Sequence, residues 1–414
     1  MKQGNIVGVV LLSILALMLI GIMVLGIIFK PNFTFSFGLF SFTTGITEEN
    51  SKVIGEYSVP IKNIEEIQIK WKAGLVRLST HSDSDEIKFT EKARKDADEN
   101  KKLNYTTTDN KLVISTDSNI SWRFLNFGQE EKILDISIPV EKPDVLKSIV
   151  INSASADTSA KNITINNLKT ETASGDISII DCTMNSCSLS SMSGDIDVNN
   201  ASPIDGKTIN SISLSSTSGE ILVSDCTVKT LEATSTSGDI NIKSVTANDR
   251  LSSTTTSGYI ENTNCKANVI EMNSTSGNIE SDKSSSENMN IGTVSGDITC
   301  RGNHSKLNCG TTSGEIEANG EYTEIDINSI SGDIDITTDV MPISVKYSTT
   351  SGNSELNIPL NSKNGFKASY STTSGDFYSN LPITTTENTR VYGNGKYSYT
   401  FSSVSGDLNI NSKN

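Results

Sequence analysis

The chain has little of what large globular enzymes use. Aromatic residues make up only 6% of its 414 positions, and prolines number eight. So few bulky rings cannot fill one large globular core; the composition suits a narrow, ladder-like core with many turns. Histidine occurs twice, at His81 and His304, and there is no CxxC pair. These absences give a metal site little support and favour no Ser-His-Asp arrangement. Cations are also outnumbered, with 34 Lys and Arg against 49 Asp and Glu and a net charge of −15. Phosphate-backbone binding needs clustered Lys and Arg, so nucleic acid is not an expected partner.

One long hydrophobic run is present. Residues 6–29, "IVGVVLLSILALMLIGIMVLGIIF", carry no charge over 24 positions, enough to cross ~30 Å of hydrocarbon as a helix. The run leads into "KPNFTFSFGLFSF" without a small-residue cleavage pattern. The expectation is an uncleaved, single-pass transmembrane α-helix in a cell membrane, with membrane lipid as its partner. A short cytoplasmic tail, 1–5, precedes it and a juxtamembrane segment, 30–47, follows. Lys2 and Lys30 flank the span with only a slight charge bias, and the long acidic part is read as extracytoplasmic.

Beyond residue 150 the same phrase recurs as "SGDI", "SGEI" and their variants. Its glycines are Gly175, Gly194, Gly219, Gly238, Gly258, Gly277, Gly296, Gly314, Gly332, Gly352, Gly375 and Gly406. Most intervals are 18 to 20 residues; the others are 25, 23 and 31. A period near 19 with strand-type alternation inside each unit is the signature of a solenoid with one coil per repeat. Aligned on the glycine, the second residue after it is Ile177, Ile196, Ile221, Ile240, Ile260, Ile279, Ile298, Ile316 or Ile334. The seventh and fifth residues before it are mostly apolar, and the third before it is always Ser or Thr. Two-residue spacing puts the apolar set on one strand face, and stacking coils ~4.8 Å apart lines it into columns. The predicted fold is all-β: a β-solenoid of about 12 coils, preceded by the membrane helix. The hydroxyls are expected inside or at the corner, bonded to backbone. The glycines are read as turn residues with backbone angles closed to other residues, and the SGD phrase as scaffold before chemistry.

Residues 48–150 read as a β-rich entry and capping module, with "IEEIQIKWKAGLVRLST" as two strands around Gly74. The regular solenoid spans 151–376, and 377–414 forms an aromatic-rich C-terminal coil and cap with Tyr378, Tyr392, Tyr397, Tyr399 and Phe401. Cys182, Cys226 and Cys265 each follow a repeat glycine by seven residues on every second coil. Coils two apart lie ~9.6 Å from each other, too far for a disulfide, so these thiols read as small buried apolar groups. Cys300 with Cys309, within one coil, is the pair that spacing leaves open.

The residue after each glycine is acidic in most copies, including Asp176, Asp195, Glu220 and Asp239. Stacked carboxylates repel, and a calcium ion bridging them would relieve the repulsion. The simpler expectation is that each acid bonds its own turn and faces water, with no cofactor and no metal. The nonapeptide calcium repeat is absent. An outward column holds Thr217, Thr236, Thr256, Thr275, Thr312, Thr350 and Thr373, similar to ice-binding arrays but interrupted by Met192, Val294 and Ile330. Acids repeat too evenly to mark one catalytic carboxylate pair, which argues against a carbohydrate-active β-helix enzyme. No catalytic and no cofactor-binding residue stands out. "LPITT" at 381–385 lacks the glycine and tail of a sortase signal.

The apolar N-terminal run, "IEEIQIKWKAGLVRL", "ISIPVEKPDVLKSIVI" and the serial "SGDI" coils resemble the bacterial putative-adhesin β-strand repeat family, over about 64–414. That family is a domain of unknown function. The resemblance implies one β-solenoid exposed at the cell surface, with a part in adhesion or the envelope stress response and no defined catalytic residues. The leading functional expectation is a non-enzymatic, membrane-anchored surface solenoid contacting envelope polysaccharide or protein. The alternative is a regulatory or structural envelope protein that binds a membrane partner.

Overall fold

Strand follows strand, and the one helical turn among the described residues is the 3-10 turn Ile61–Asn63. This is a computed structural model, and it describes residues 34–37, 40–43, 45–97, 102–116, 131–140, 146–204, 206–360, 363–386 and 389–413. The expected membrane span at 6–29 and the tail before it lie outside these residues. Among the described residues no helix is long and apolar enough to cross a membrane. Within the segment 30–47, Thr34–Phe37 pairs antiparallel with Phe40–Thr43. The chain divides into two compact units, one of 1–165 with 169–178 and 191–194, the other of 166–168, 179–190 and 195–414.

The first unit is organised by one long strand, Glu66–His81. The sequence pattern suggests two strands meeting at Gly74, but the stretch runs on as one. Gly74 (φ 104°) bends it, and the buried face changes parity there, from Ile67, Ile69 and Trp71 to Val76 and Leu78. A Cβ at Gly74 would stand 2.1 Å from the Lys132 carbonyl oxygen, so only glycine lets the two strands meet. The long strand pairs parallel with Lys111–Ser115 and Lys132–Pro139, and over residues 66–78 with Ser148–Lys161. Glu86–Arg94 then joins antiparallel to Lys132–Pro139 and to Ser51–Pro60. Inside lies an ion pair: Lys132 Nζ is 2.6 Å from Glu91 Oε1, with side chains 5% and 0% exposed. The other Glu91 oxygen accepts the Leu103 N–H at 2.8 Å, and the Lys132 carbonyl accepts Trp71 Nε1–H at 3.1 Å.

The second unit is a parallel β-solenoid. Each regular coil has a short strand such as Ile221–Ser224, a corner, and a longer strand such as Thr227–Ser235. Every coil pairs parallel with the next, and the isoleucine column is in register: Ile196, Ile221, Ile240, Ile260, Ile279, Ile298, Ile316 and Ile334 face one another in turn. All eight are buried. Burial of each contributes about 1.5–3 kcal/mol, which no isolated coil would gain.

The corners differ from expectation in their cause. At Gly238, Gly258 and Gly277 the backbone φ is not positive; a Cβ would stand 2.0, 2.1 and 1.8 Å from the carbonyl oxygen of the glycine one coil earlier. Close stacking of backbone on backbone, rather than an unusual dihedral, requires glycine there. Only at Gly332, Gly352, Gly375 and Gly406 is φ positive, between 133° and 153°. The corner hydroxyls are buried and doubly used in the earlier coils. Ser274 Oγ accepts the Gly277 N–H at 2.9 Å and donates to the Gly258 carbonyl at 3.4 Å, and Thr293 repeats the pattern with Gly296 and Gly277.

Left-handed backbone appears instead at the opposite corner, six residues after the glycine. Asp181, Asn200, Asp225, Ser244, Asn264 and Lys283 all have φ between 52° and 55°. Asn and Asp tolerate this region best, because their short side chains bond nearby backbone. The next residue carries the corner's thiol: Cys182, Cys226 and Cys265 donate S–H to the carbonyl two residues back at 3.2, 3.1 and 3.5 Å. Ser284 takes the same place with an O–H at 3.3 Å. All six cysteines, Cys300 and Cys309 included, are buried, and none forms a disulfide.

At the C-terminus coil order departs from chain order. Ser344–Ser351 pairs with Tyr397–Ser402, which in turn pairs with Phe366–Ser371 on its other edge, all parallel. The short strands agree: Ser354–Ile358 pairs with Leu408–Ser412, and that strand with Phe377–Ser379. The last stretch of chain is therefore the penultimate coil, and 366–379 is the outermost. Tyr399 gives the physical reason. It sits between Val345 and Ala368, two small neighbours, stacks on Phe366 at 4.5 Å and donates to the Pro342 carbonyl at 3.0 Å. Serial order would set Val345 against Ala368 and leave that space unfilled. Thr389–Tyr392 covers the outer edge of Phe366–Ser371 antiparallel, and Ile383–Thr386 extends it.

Candidate functional site

The residues that alternate with the buried isoleucines point outward on the short-strand sheet of the second unit. Three positions after the glycine they form one row in register: Asp197, Leu222, Asn241, Glu261, Glu280, Thr299, Glu317, Asp335 and Glu355. Five positions after it runs Asn199, Ser224, Lys243, Thr263, Asp282 and Arg301. A shallow groove of about 400 Å³ crosses four coils of this face, lined by Asp197, Leu222, Asn241, Lys243, Glu261 and Thr263 among others. Leu222 is 38% exposed in it, an apolar platform among amide, carboxylate and hydroxyl groups.

The charges on this face are held in place. Asn241 Nδ2 donates to Glu220 Oε1 at 2.6 Å, and the Tyr259 hydroxyl to Glu280 Oε2 at 2.7 Å. Arg301 bridges Glu280 at 2.9 Å and Glu317 at 3.8 Å. Partial burial pushes the Asp197 carboxyl above its ordinary value. Burial does the same at Asp335, helped by the neighbouring Glu355, Glu317 and Glu315 carboxylates. The repeat pattern draws the eye to the acid next to each glycine and away from these rows. Their signal lies in "GDIDI" and "GEIEA", where a polar residue follows each inward one.

The four acids named as calcium candidates, Asp176, Asp195, Glu220 and Asp239, have protein partners. Asp195 Oδ1 accepts the Glu220 N–H at 2.9 Å, and Asp239 Oδ1 accepts the Tyr259 N–H at 2.7 Å. The same link recurs at Asn278–Asp297, Asp297–Glu315, Asp333–Asn353, Asn353–Asp407 and Asp407–Asp376, the last pair again following coil order. In the first unit Asp176 donates its N–H to Asp157 Oδ1 at 2.9 Å. Each short acid or amide thus secures the backbone of the next coil, where its own turn was expected to be the partner. Among the described residues no group of three or more His, Cys, Asp or Glu is placed to hold a metal ion.

The threonine column lies at the corner and is exposed except at the half-buried Thr312, and Val294, Ile330 and Val404 stand in it 46–54% exposed. Neither histidine lines the groove. His304 is buried at 2% exposure, and burial pushes its imidazole down to about 4. His81, in the first unit, contacts the Glu86 carbonyl and Asp83.

Two stretches of the chain, 64–263 and 262–411, match the family model described as Toastrack DUF4097. No curated protein is significantly similar. Among solved structures, a putative adhesin from Bacteroides fragilis shares 16% identity, covering 73% of this chain and 97% of its own, at a TM-score of 0.30. A putative lipid binding protein from Parabacteroides distasonis shares 19% identity, covering 70% and 97%, at 0.34. A putative adhesin from Parabacteroides merdae shares 11%, covering 72% and 95%, at 0.28.

Proposed function

The chain belongs to the Toastrack DUF4097 family, and from that premise we propose that it is a non-enzymatic, membrane-anchored surface solenoid whose outer sheet face binds an envelope polysaccharide. One observation carries this reading. The groove sets Asp197, Asn241, Glu261 and Thr263 around an exposed Leu222, on coils stacked at a regular step. A row of hydrogen-bonding groups flanking an apolar patch suits a polymer of hydroxyl-bearing rings, each ring offering one apolar face and a polar edge. The step of ~4.8 Å between coils is close to the length of one sugar residue. The anchor is the uncharged run at 6–29. The evenness of the acidic rows supports a binding surface over catalysis, which needs one acid set apart from its neighbours.

The triple variant Asp197→Ala, Asn241→Ala, Glu261→Ala tests the proposal. These side chains are partly exposed, so thermal unfolding should change little. Binding to purified envelope glycan should fall at least about tenfold, the equivalent of losing one or two hydrogen bonds. Unchanged glycan binding by the folded variant would remove the polysaccharide reading. Crosslinking in cells to a single resident membrane protein would favour the regulatory alternative.

A further inference from the structure

One interior column of the second unit changes from hydrocarbon to polar and small side chains over four coils. In the column four residues after the glycine, Val198, Val223 and Ile242 are followed by Asn262, Ser281, Cys300 and Ala318 before Ile336 restores the pattern. Asn262 and Ser281 are fully buried. Across the core a second column changes in the opposite sense, with Ser286, His304 and Tyr322 in register. Where one wall shrinks, the other sends in a ring.

Tyr322 shows how such a ring completes the core. It is fully buried, and its hydroxyl crosses to the preceding coil and donates to the Cys300 carbonyl at 2.9 Å. The His304 ring lies one coil earlier and parallel to it, with 7° between planes and 6.2 Å between centroids. The two rings occupy the same register position on successive coils. An imidazole carries no hydroxyl and is the shorter of the two rings. Its Nδ1 is 2.8 Å from Ser286 Oγ. Its Nε2 has no hydrogen-bond partner in the protein, and neither has Ser281 Oγ or Asn262 Nδ2. Three buried polar atoms on three successive coils thus remain unbonded, and each would cost about 1–3 kcal/mol if left so.

We infer that this interior holds a structural water site, in which a water molecule takes the place on the His304 coil that the Tyr322 hydroxyl takes on the next, bonding His304 Nε2 and Ser281 Oγ. Buried waters occupy polar sites of this kind and make two to four hydrogen bonds. Water both donates and accepts, so it suits either neutral tautomer of the ring. Burial holds His304 neutral at pH 7, leaving one ring nitrogen to accept. Asn262, beside Ser281 in the register, supplies a further donor. The site explains why serine and asparagine occur in a column of isoleucine and valine.

His304→Tyr tests the inference in the full-length chain, with His304→Phe as its partner. The tyrosine hydroxyl should replace the water and donate to the Ser281 carbonyl, raising the melting temperature by about 2 °C. The phenylalanine ring supplies no such group, so His304→Phe should melt below wild type. A high-resolution crystal structure of the wild type should show a water about 2.8 Å from both Nε2 and Ser281 Oγ. Density with Nε2 bonded directly to Ser281 or Asn262 would overturn the inference, as would His304→Tyr melting below His304→Phe. If His304→Tyr does not fold, the wild-type density decides alone.

Discussion

Gly277→Ala should lower the stability of the solenoid by about 3–4 kcal/mol or abolish its folding. The added methyl would stand 1.8 Å from the Gly258 carbonyl oxygen and 2.6 Å from its carbon. Both atoms belong to backbone locked into the coil ladder, so neither can give way as a side-chain tip would. Overpacking in a well-filled core costs about 1–3 kcal/mol even where side chains absorb the shift; a backbone clash belongs to the rarer, larger class. The molecule contains its own control. At Gly310 the nearest atom to an added methyl, the Asn328 carbonyl oxygen, is 3.7 Å away, and its φ is not in the left-handed region. Gly310→Ala should therefore be neutral or stabilise by up to about 1 kcal/mol, through a less flexible unfolded chain. Equal losses at the two sites in chemical denaturation would show that close coil stacking is not what requires the corner glycines.

The second large effect is expected in the first unit. Glu91→Ala removes a carboxylate 2.6 Å from a Lys132 ammonium whose side chain is only 5% exposed, and leaves the Leu103 N–H without that acceptor. Breaking a buried pair from one side costs about 3–5 kcal/mol, because the remaining charge loses the carboxylate it was paired with. The double replacement Glu91→Leu, Lys132→Met should recover most of that loss, since well-packed hydrocarbon often substitutes for a buried pair at little cost. The comparison separates the pair's net contribution from the penalty of orphaning one member. A double variant as unstable as Glu91→Ala would mean that the carboxylate's bond to Leu103, more than charge balance, holds this part of the unit.

Much of this architecture is readable in the amino-acid order, because a solenoid writes its core once per coil. The isoleucine two residues after each glycine and the hydroxyl three before it report directly on burial and on a backbone bond. Other features are not readable that way. The corner glycines look like dihedral requirements, yet most answer to a neighbour one coil away, and contact between coils leaves no local mark. The left-handed corner is occupied by Asn, Asp, Ser and Lys, residues equally at home on any exposed strand end. Glu66–His81 reads as two strands because glycine punctuates most sequences, whereas in this strand it bends the chain and turns its buried face over. The reversed coil order is the least legible. Residues 371–375, "STTSG", and 402–406, "SSVSG", carry nearly the same text, so the repeat alone allows either to stand next to 348–352. The volumes of Tyr399, Val345 and Ala368 decide between them. The groove was hidden for a related reason, since its residues are ordinary for an outward strand face and acquire meaning only when stacked.

Both the buried columns and the groove depend on coils of the second unit lying in register along one axis, with the last stretch of chain as the penultimate coil. Pulsed electron-spin resonance between paired nitroxides measures this directly. With one label at Ser213, the second is moved along its outward row to Asp326, Lys346, Thr400 or Ser369, all on the ladder that starts at Ser213. The native thiols are all buried and will not compete for label. At ~4.8 Å per coil the separations should be about 29, 34, 38 and 43 Å in that sequence, with Ser369 farther from Ser213 than Thr400 is. Distances that fail to rise by a constant step would contradict the stacked register. A Ser369 label nearer to Ser213 than the Thr400 label would contradict the coil order.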